Sequence, residues 1–203
     1  CEGLRKVVAV SAASAEEAAA AGFPRDRILQ IPNGVPIPAW RREDYREDRR
    51  VVCVSRCRPE KGVDTLLLAF EKLSRRVAGL HLDIVGGGER SEDLQAMARM
   101  RGLSLSVTFH GDTADVYPFL RKAAVFALPS QTEGMSNALL EAMSVGLPCV
   151  ATAVGVNVDL IEHGRTGLLC EVGNPDSLAA SMETFLGNEA LRAQIGAAAR
   201  ERV

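Results

Sequence analysis

Two glutamates, Glu133 and Glu141, flank the start of a predicted helix. The helix follows an apolar run at 125–128 that predicts a buried strand, and either Ser136 or Asn137 is a suitable N-cap residue for it. The first amides of a helix lack internal partners and carry partial positive charge, so they attract anions. Glu141 lies about one turn inside the helix, and helical side chains lean toward the N-terminus. Both carboxylates can therefore face one ligand, and their spacing suggests chemistry on a sugar phosphate.

The same two carboxylates also have an ordinary structural explanation. An acidic residue near a helix N-terminus is favourable by up to about 1 kcal/mol, and glutamate is common on exposed helix faces. The local sequence leaves both interpretations open. Other groups expected at the same edge of the fold must decide between them.

The composition limits the classes of partner. The 203 residues are 47% hydrophobic and 25% charged, as in one or two globular domains with a sizeable core. With 24 basic and 26 acidic residues, the chain has no general positive field, and no nucleic-acid partner is expected. No apolar stretch reaches the roughly 18 residues that span a bilayer, and no signal-peptide pattern is found. We therefore expect a cytoplasmic protein.

Five cysteines occur in the sequence, at Cys1, Cys53, Cys57, Cys149 and Cys170. Their number is odd and three of them lie in apolar, strand-like runs, which favours reduced core thiols. Cys53 and Cys57 have no second cysteine pair and no histidine nearby, so a zinc site is disfavoured. No bound metal is expected.

Residues 51–186 alternate predicted strands and helices joined by short connections. The six strand candidates are 51–54, 80–85, 106–109, 125–128, 149–151 and 167–170. The helix candidates are 64–77, 91–100, 115–122, 136–144, 158–162, 176–186 and 189–202. This alternation is typical of an α/β protein whose parallel sheet is covered by helices on both faces, and it predicts a doubly wound sheet.

The first part of the chain does not continue this series. It predicts a small β-α-β piece with elements at 7–10, 14–21 and 28–31. A segment of about 38 residues cannot bury a sufficient core alone, so we expect it to be the end of another domain. A strongly charged stretch follows it and is typical of a connector. The predicted organisation is a domain remnant at 1–38, a linker at 39–50 and the main domain at 51–203.

Ligands of doubly wound sheets gather at the carboxyl ends of the strands. Arg56 directly follows the first strand of the main domain, and Lys61 lies in the same loop. Such cations can hold a diphosphate through charge-assisted hydrogen bonds of about 1.5–3 kcal/mol each. The alternative is a pair of surface cations that interact with Glu60 or Asp64.

The glycines at 86–88 do not make a nicotinamide site. Ser91 stands where the third glycine of the dinucleotide motif belongs, and the turn is not the first of the sheet. These glycines instead predict a tight turn that brings backbone close to a ligand. No cofactor is expected.

The order of these features resembles the retaining glycosyltransferases of family 4, also called group 1, whose GT-B fold consists of two facing Rossmann-like domains. The Glu-x7-Glu element with its flanks is the most specific part of the resemblance. The matching stretches are 31–35, 55–56 with 60–64, 84–88, 109–111, 129–143, Gly155 with Asp159, and 164–169.

The resemblance implies that the main domain binds a nucleoside-diphosphate sugar, the donor. Arg56 and Lys61 would hold the diphosphate, and Glu141 would bind the ribose hydroxyls. Glu133 would face the donor sugar, either as a nucleophile or as the electrostatic partner of an oxocarbenium-like state; front-face attack assisted by the leaving phosphate is the alternative. The backbone amides that complete the donor site would be those of Gly134, Met135, Ser136 and Asn137.

The resemblance also implies a reaction, transfer of a hexose with retention of its anomeric configuration and without a metal. The acceptor would be a saccharide or a lipid-linked saccharide, with peripheral membrane contact through the acceptor half at the inner membrane face. Since most of that half is absent, we expect this chain to bind donor with weak or no turnover. The alternatives are a non-catalytic nucleotide-sugar-binding module and another GT-B enzyme such as a sugar-nucleotide epimerase.

Overall fold

The computed structural model describes residues 5–39 and 49–203. The strands in these ranges are β1 Val7–Ala9, β2 Ile28–Gln30, β3 Arg50–Val54, β4 His81–Val85, β5 Val107–Gly111, β6 Val125–Leu128, β7 Cys149–Thr152 and β8 Leu168–Cys170. The α-helices are α1 Ala12–Ala20, α2 Val63–Ser74, α3 Ser91–Met100, α4 Tyr117–Lys122, α5 Asn137–Ser144, α6 Asn157–Leu160, α7 Pro175–Leu186 and α8 Glu189–Arg202. The predicted order of strands and helices is confirmed.

Strands β3 to β8 form one six-stranded sheet in the order β5-β4-β3-β6-β7-β8. Every neighbouring pair in it is parallel. The chain runs outward from β3 to β5 and then crosses to β6 on the other side of β3, so the order reverses between β3 and β6. A crevice opens at such a reversal, outside the carboxyl ends of the strands. The α/β, Rossmann-like fold predicted for the main domain is confirmed.

Apolar side chains cover the sheet on both faces. On one face, α2 and α7 contribute fully buried residues such as Phe70 and Phe185. On the other face, Leu139 and Met143 of α5 pack against Phe126 of β6. Helix α5 is therefore fixed against the sheet through its buried side, which holds its N-terminus at the strand ends.

Strands β1 and β2 form a separate, two-stranded parallel sheet. Helix α1 beside them has no buried residue, so this piece has little core of its own. Most of the predicted linker, residues 40–48, lies outside the described residues. The assignment of 1–38 to another domain stays a prediction.

Side-chain hydrogen bonds to the backbone explain why two helices begin at other residues than the sequence predicted. Helix α1 begins at Ala12 and not at Ser14, because Ser11 and Ser14 form a reciprocal capping box. Helix α4 begins at Tyr117 and not at Asp115, because the Asp115 carboxylate accepts a hydrogen bond from the Tyr117 amide at 3.0 Å. Asp115 is thereby kept in the turn before the helix.

The four described cysteines are free thiols and are buried in the main domain. Burial raises the pKa of the Cys53 thiol to about 12, so this thiol is protonated at neutral pH. Among the described residues, no helix is both long and apolar enough to cross a bilayer.

Candidate functional site

A cavity of about 420 Å³ opens at the carboxyl ends of β3 and β6. Its walls come from the loop after β3, the loop after β6 and the first turn of α5. The lining residues are Val54, Ser55, Arg56, Arg58, Glu60, Lys61, Leu128, Glu133, Met135, Ser136, Asn137 and Ala138. The cavity therefore lies at the reversal of strand order, where the fold is expected to bind ligands.

The cavity brings together most of the residues singled out from the sequence. Those lining it are Arg56, Lys61, Glu133, Met135, Ser136 and Asn137. Gly134 and Glu141 are not among the lining residues. Their assignment to the donor site stays a prediction.

Lys61 forms an ion pair with Glu133 across the cavity, with Nζ 2.7 Å from Oε1. The Glu133 side chain is only 6% exposed and that of Lys61 is 22% exposed, so the pair is largely shielded from water. Neither Glu60 nor Asp64 pairs with Lys61, and Asp64 instead accepts from Arg90 at 3.0 Å. The alternative of a surface cation paired with Glu60 or Asp64 is therefore wrong for Lys61.

Arg56 is exposed at the rim of the same cavity. Within the part of the chain that the structure describes, its guanidinium forms no hydrogen bond or ion pair. It is thus available to an anionic ligand beside Lys61.

The N-terminus of α5 forms the opposite wall. Ser136 is the N-cap residue, and its hydroxyl accepts from the Leu139 amide at 3.3 Å. No carbonyl within the helix can reach the amides of Asn137 and Ala138, both of which line the cavity. The partial positive charge of this helix end therefore lies on the same cavity as Lys61 and Arg56.

A buried chain of polar groups supports Glu133 from behind. The Ser130 hydroxyl donates to Glu133 Oε1 at 2.9 Å, and the Thr152 hydroxyl donates to the Ser130 carbonyl. Asn157 in turn donates to the Thr152 carbonyl at 3.1 Å. From the sequence, Ser130 lay within the matching stretch 129–143 without a role of its own, and Thr152 and Asn157 were missed. The available signal was the position of Ser130 just after the apolar strand β6 and of Thr152 at the end of the apolar strand β7; nothing comparable marked Asn157.

Two glycines allow the surrounding loops to meet. A Cβ on Gly62 would lie 2.2 Å from the Pro129 carbonyl oxygen, and one on Gly155 would lie 1.7 Å from the Glu133 carbonyl oxygen. Both glycines have positive φ, +62° and +49°. The Lys61 loop and the loop after β7 are therefore packed tightly against the segment that carries Glu133.

Asn33, from the first part of the chain, contacts the cavity wall at the start of α5. Its side-chain amide donates to Asn137 Oδ1 at 2.8 Å, and its backbone amide contacts Met135 Sδ at 3.0 Å. The sequence placed Asn33 in a matching motif but not at the site. Only the tertiary structure brings it to the start of α5.

A second, smaller cavity of about 210 Å³ adjoins the first. The two share Val54, Ser55, Arg56 and Ala138, and the smaller one extends to Gly86, Asp112, Thr113 and Val116. The Gly87 amide donates to Asp112 Oδ1 at 2.7 Å, which fixes the glycine turn predicted after β4. The cavities together form a groove along the ends of β4, β3 and β6.

Two histidines that are far apart in sequence converge on Asp83, and none of these three residues lines either cavity. His110 Nε2 lies 2.7 Å from Asp83 Oδ1, and His81 Nε2 lies 3.8 Å from the same oxygen. Burial alone would raise the pKa of Asp83, but its hydrogen bonds with His110 and Arg50 hold that pKa below its usual value. Among the described residues, no three His, Cys, Asp or Glu side chains are arranged to hold a metal ion.

Glu141 is half-buried on α5, and its carboxylate has no hydrogen-bond or ion-pair partner among the described residues. Burial therefore raises the pKa of this carboxyl above its usual value. A polar group of this kind is suited to accept hydrogen bonds from a ligand, since none of its acceptor capacity is used by the protein.

We expect Glu141→Gln to stabilise the free protein slightly at neutral pH. Because the pKa of Glu141 is raised in the folded state, the folded state binds this proton more tightly. The contribution of Glu141 to the free energy of unfolding therefore decreases as pH rises above about 4.5. Glutamine has no charge to desolvate, so Tm at pH 7 should rise by on the order of 1 °C. The gain should vanish below pH 4.5. Thermal melts across this range test it, with the exposed helical Glu17→Gln as control; equal gains for both variants would contradict the explanation.

Residues 39–202 match the family model described as Glycosyl transferases group 1. The chain belongs to the group 1 glycosyltransferase family. The matched region includes the whole six-stranded sheet and every residue that lines the larger cavity. The candidate site is therefore part of a group 1 domain.

Curated relatives of this group 1 domain agree with the family. One is the GDP-mannose-dependent alpha-(1-6)-phosphatidylinositol monomannoside mannosyltransferase of Mycobacterium tuberculosis, which is 36% identical over 100% of this chain. Another is the N-acetyl-alpha-D-glucosaminyl L-malate synthase of Bacillus anthracis, which is 33% identical over 77% of this chain. The chain spans 58% and 41% of the lengths of these two proteins.

Solved structures share the group 1 fold. HepE of Anabaena, crystallised in complex with UDP and glucose, superposes with a TM-score of 0.88 at 25% identity. The match covers 97% of this chain and 57% of HepE. The C-terminal domain of the group 1 protein LpcC of Francisella tularensis has the same fold, with a TM-score of 0.70 over 77% of this chain and 85% of that domain. The sheet is thus one half of a GT-B fold.

Proposed function

We propose that residues 51–203 are the donor-binding domain of a retaining, metal-independent glycosyltransferase of family 4. Residues 1–38 would belong to the acceptor domain and 39–50 to the linker between the two. The observation that carries this proposal is the larger cavity, in which Lys61 and the free amides at the start of α5 face each other. Two independent sources of positive charge on one cavity favour a diphosphate.

The proposed leaving group is the nucleoside diphosphate. Its charge would be neutralised by Lys61, by Arg56 and by the amides from Gly134 to Asn137, which supports a reaction without a metal or another cofactor. Glu133, on the same cavity, would face the donor sugar and stabilise the positive charge that develops on it. Glu141 would accept hydrogen bonds from the ribose hydroxyls.

The proposed donor is a nucleoside-diphosphate hexose. The mannosyltransferase relative is named for GDP-mannose, and HepE was crystallised with UDP, so the relatives differ in base. The proposed acceptor is a saccharide or a lipid-linked saccharide, with the protein in the cytoplasm and peripheral contact at the membrane through the acceptor half. This chain alone would bind donor without efficient transfer.

Calorimetric titration of this chain with UDP, GDP and ADP tests the donor site. We expect at least one of them to bind. Each matching nucleoside should bind at least about tenfold more weakly, since it lacks the charges that Lys61 and the α5 amides recognise. EDTA should leave the affinity unchanged. A folded sample that binds none of the three diphosphates would overturn the proposal.

Retention of configuration needs a separate measurement. In a protein that also carries a complete acceptor half, the anomeric proton of the new glycosidic bond should show the same configuration as the donor sugar by NMR. An inverted product would contradict the retaining mechanism without contradicting the proposed donor site.

A further inference from the structure

Glu133 is held by two donors that converge on a single oxygen. Lys61 Nζ lies 2.7 Å from Oε1, and the Ser130 hydroxyl lies 2.9 Å from the same atom. The side chain is 6% exposed, so water replaces neither bond easily. The orientation of this carboxylate therefore depends on these two contacts.

The two donors differ in what else they can bind. Lys61 lines the cavity and, on the proposed function on which this inference rests, must also bind the diphosphate. A diphosphate is an anion that competes with Glu133 for the same ammonium group. Ser130 is fully buried and does not line the cavity, so no ligand competes for its hydroxyl.

Ser130 is itself firmly positioned. Its carbonyl accepts a hydrogen bond from the Thr152 hydroxyl, and Thr152 is 1% exposed. Thr152 is in turn bonded through its carbonyl to the side chain of Asn157, which is fully buried. The Ser130 hydroxyl is thus a fixed donor, whereas the Lys61 ammonium is the end of a long, flexible side chain.

We propose that Ser130 is a positioning residue that holds Glu133 in place while Lys61 is transferred to the diphosphate of the donor. In the free protein, Lys61 and Ser130 share the carboxylate. When the diphosphate takes the lysine, the Ser130 hydroxyl keeps Oε1 fixed, and the other oxygen of Glu133 is directed to the sugar. Ser130 acts only through Glu133.

This exchange makes nucleotide affinity depend on how strongly Glu133 holds Lys61. Glu133→Gln removes the carboxylate charge and releases the lysine, so the diphosphate should bind at least about tenfold more tightly. Ser130→Ala removes the second donor, so Glu133 depends on Lys61 alone and competes for it more strongly. The diphosphate should then bind about three- to tenfold more weakly.

The double variant separates positioning from simple packing. If Ser130 acts through Glu133, adding Ser130→Ala to Glu133→Gln should change affinity by less than about twofold, since the lysine is already free. If Ser130 only stabilises the loop, its loss should weaken binding equally in both backgrounds. Calorimetry with whichever of UDP, GDP and ADP binds the unmodified chain provides all four affinities.

Ser144→Ala is the matched control. Ser144 is also fully buried and its hydroxyl also donates, at 2.8 Å to the Glu141 carbonyl, but it forms no hydrogen bond with Glu133. We expect its substitution to leave nucleotide affinity within about twofold. Unchanged or weaker binding by Glu133→Gln would overturn the exchange, and an equal loss for Ser130→Ala in both backgrounds would overturn the positioning role. Failure of the unmodified chain to bind any diphosphate would instead reject the proposed function.

Discussion

Lys61→Met is expected to weaken nucleoside-diphosphate binding by at least about 30-fold. A hydrogen bond to a charged group contributes about 1.5–3 kcal/mol, and methionine retains the length of the side chain without the ammonium. Arg56 and the α5 amides would remain on the cavity, but the ammonium charge of Lys61 would be lost. Calorimetric titration with UDP, GDP and ADP measures the loss.

The same substitution should also destabilise the free protein. It leaves the Glu133 carboxylate, 6% exposed, without its cationic partner. Removing one member of a buried pair costs up to about 3–5 kcal/mol, and the partial exposure of Lys61 places this case near about 2–3 kcal/mol. Tm should fall by about 5–10 °C.

A neutral pair separates the two effects. In Lys61→Met/Glu133→Gln the buried charge is gone and glutamine can keep the bond from Ser130, so most of the lost stability should return. Nucleotide binding should still be at least about 30-fold weaker than in the unmodified chain. Lys72→Met serves as the control, because Lys72 pairs with Asp176 on the surface, away from the cavity. If the double variant bound nucleotide as tightly as the unmodified chain, the assignment of Lys61 to the donor site would be wrong.

Gly155→Ala is expected to cost about 2–5 kcal/mol of unfolding free energy, the largest stability loss that we predict for a single methyl group. The new Cβ would lie 1.7 Å from the Glu133 carbonyl oxygen, far inside contact distance, and that oxygen belongs to backbone. The positive φ of +49° adds strain for any residue with a Cβ. Either the loop after β7 or the segment carrying Glu133 must move.

Gly173→Ala isolates the backbone strain. Gly173 has a φ of +65°, and a Cβ there would meet nothing within 4 Å. Its substitution should therefore cost only about 1–2 kcal/mol. Chemical denaturation of both variants gives the comparison. Equal losses at the two glycines would show that Gly155 is not needed for the close approach to Glu133.

The strands and helices of the main domain could be predicted because their signals are local. The apolar run at Val125–Leu128 is fully buried in β6, and Ser136, one of the two N-cap residues that the sequence allowed, caps α5. The parallel, doubly wound arrangement also followed, since strands that alternate with helices in short connections have few other solutions. Errors in the strands and α-helices of the described residues were confined to their ends; at α1, for example, the Ser11 cap decides the boundary.

The candidate site was predictable only in part. The positions of Arg56, Lys61 and Glu133 after strands were sufficient to expect them at one edge, because parallel strands present their carboxyl ends together. The partner of Lys61 was not predictable, since Glu60 and Asp64 are nearer to Lys61 in sequence than Glu133 is. A pair that joins two separate loops depends on the order of strands in the sheet.

The sequence by itself determined the fold class, the family resemblance and which side chains we propose for diphosphate binding, because periodicity, caps and motif spacing are properties of neighbouring residues. Only the tertiary structure decided that Lys61 and Ser130 both bind Oε1 of Glu133, and that Gly155 packs against the backbone carbonyl of Glu133. These contacts join three different loops, and their distances are set by the packing of β3, β6 and β7, which no local pattern records.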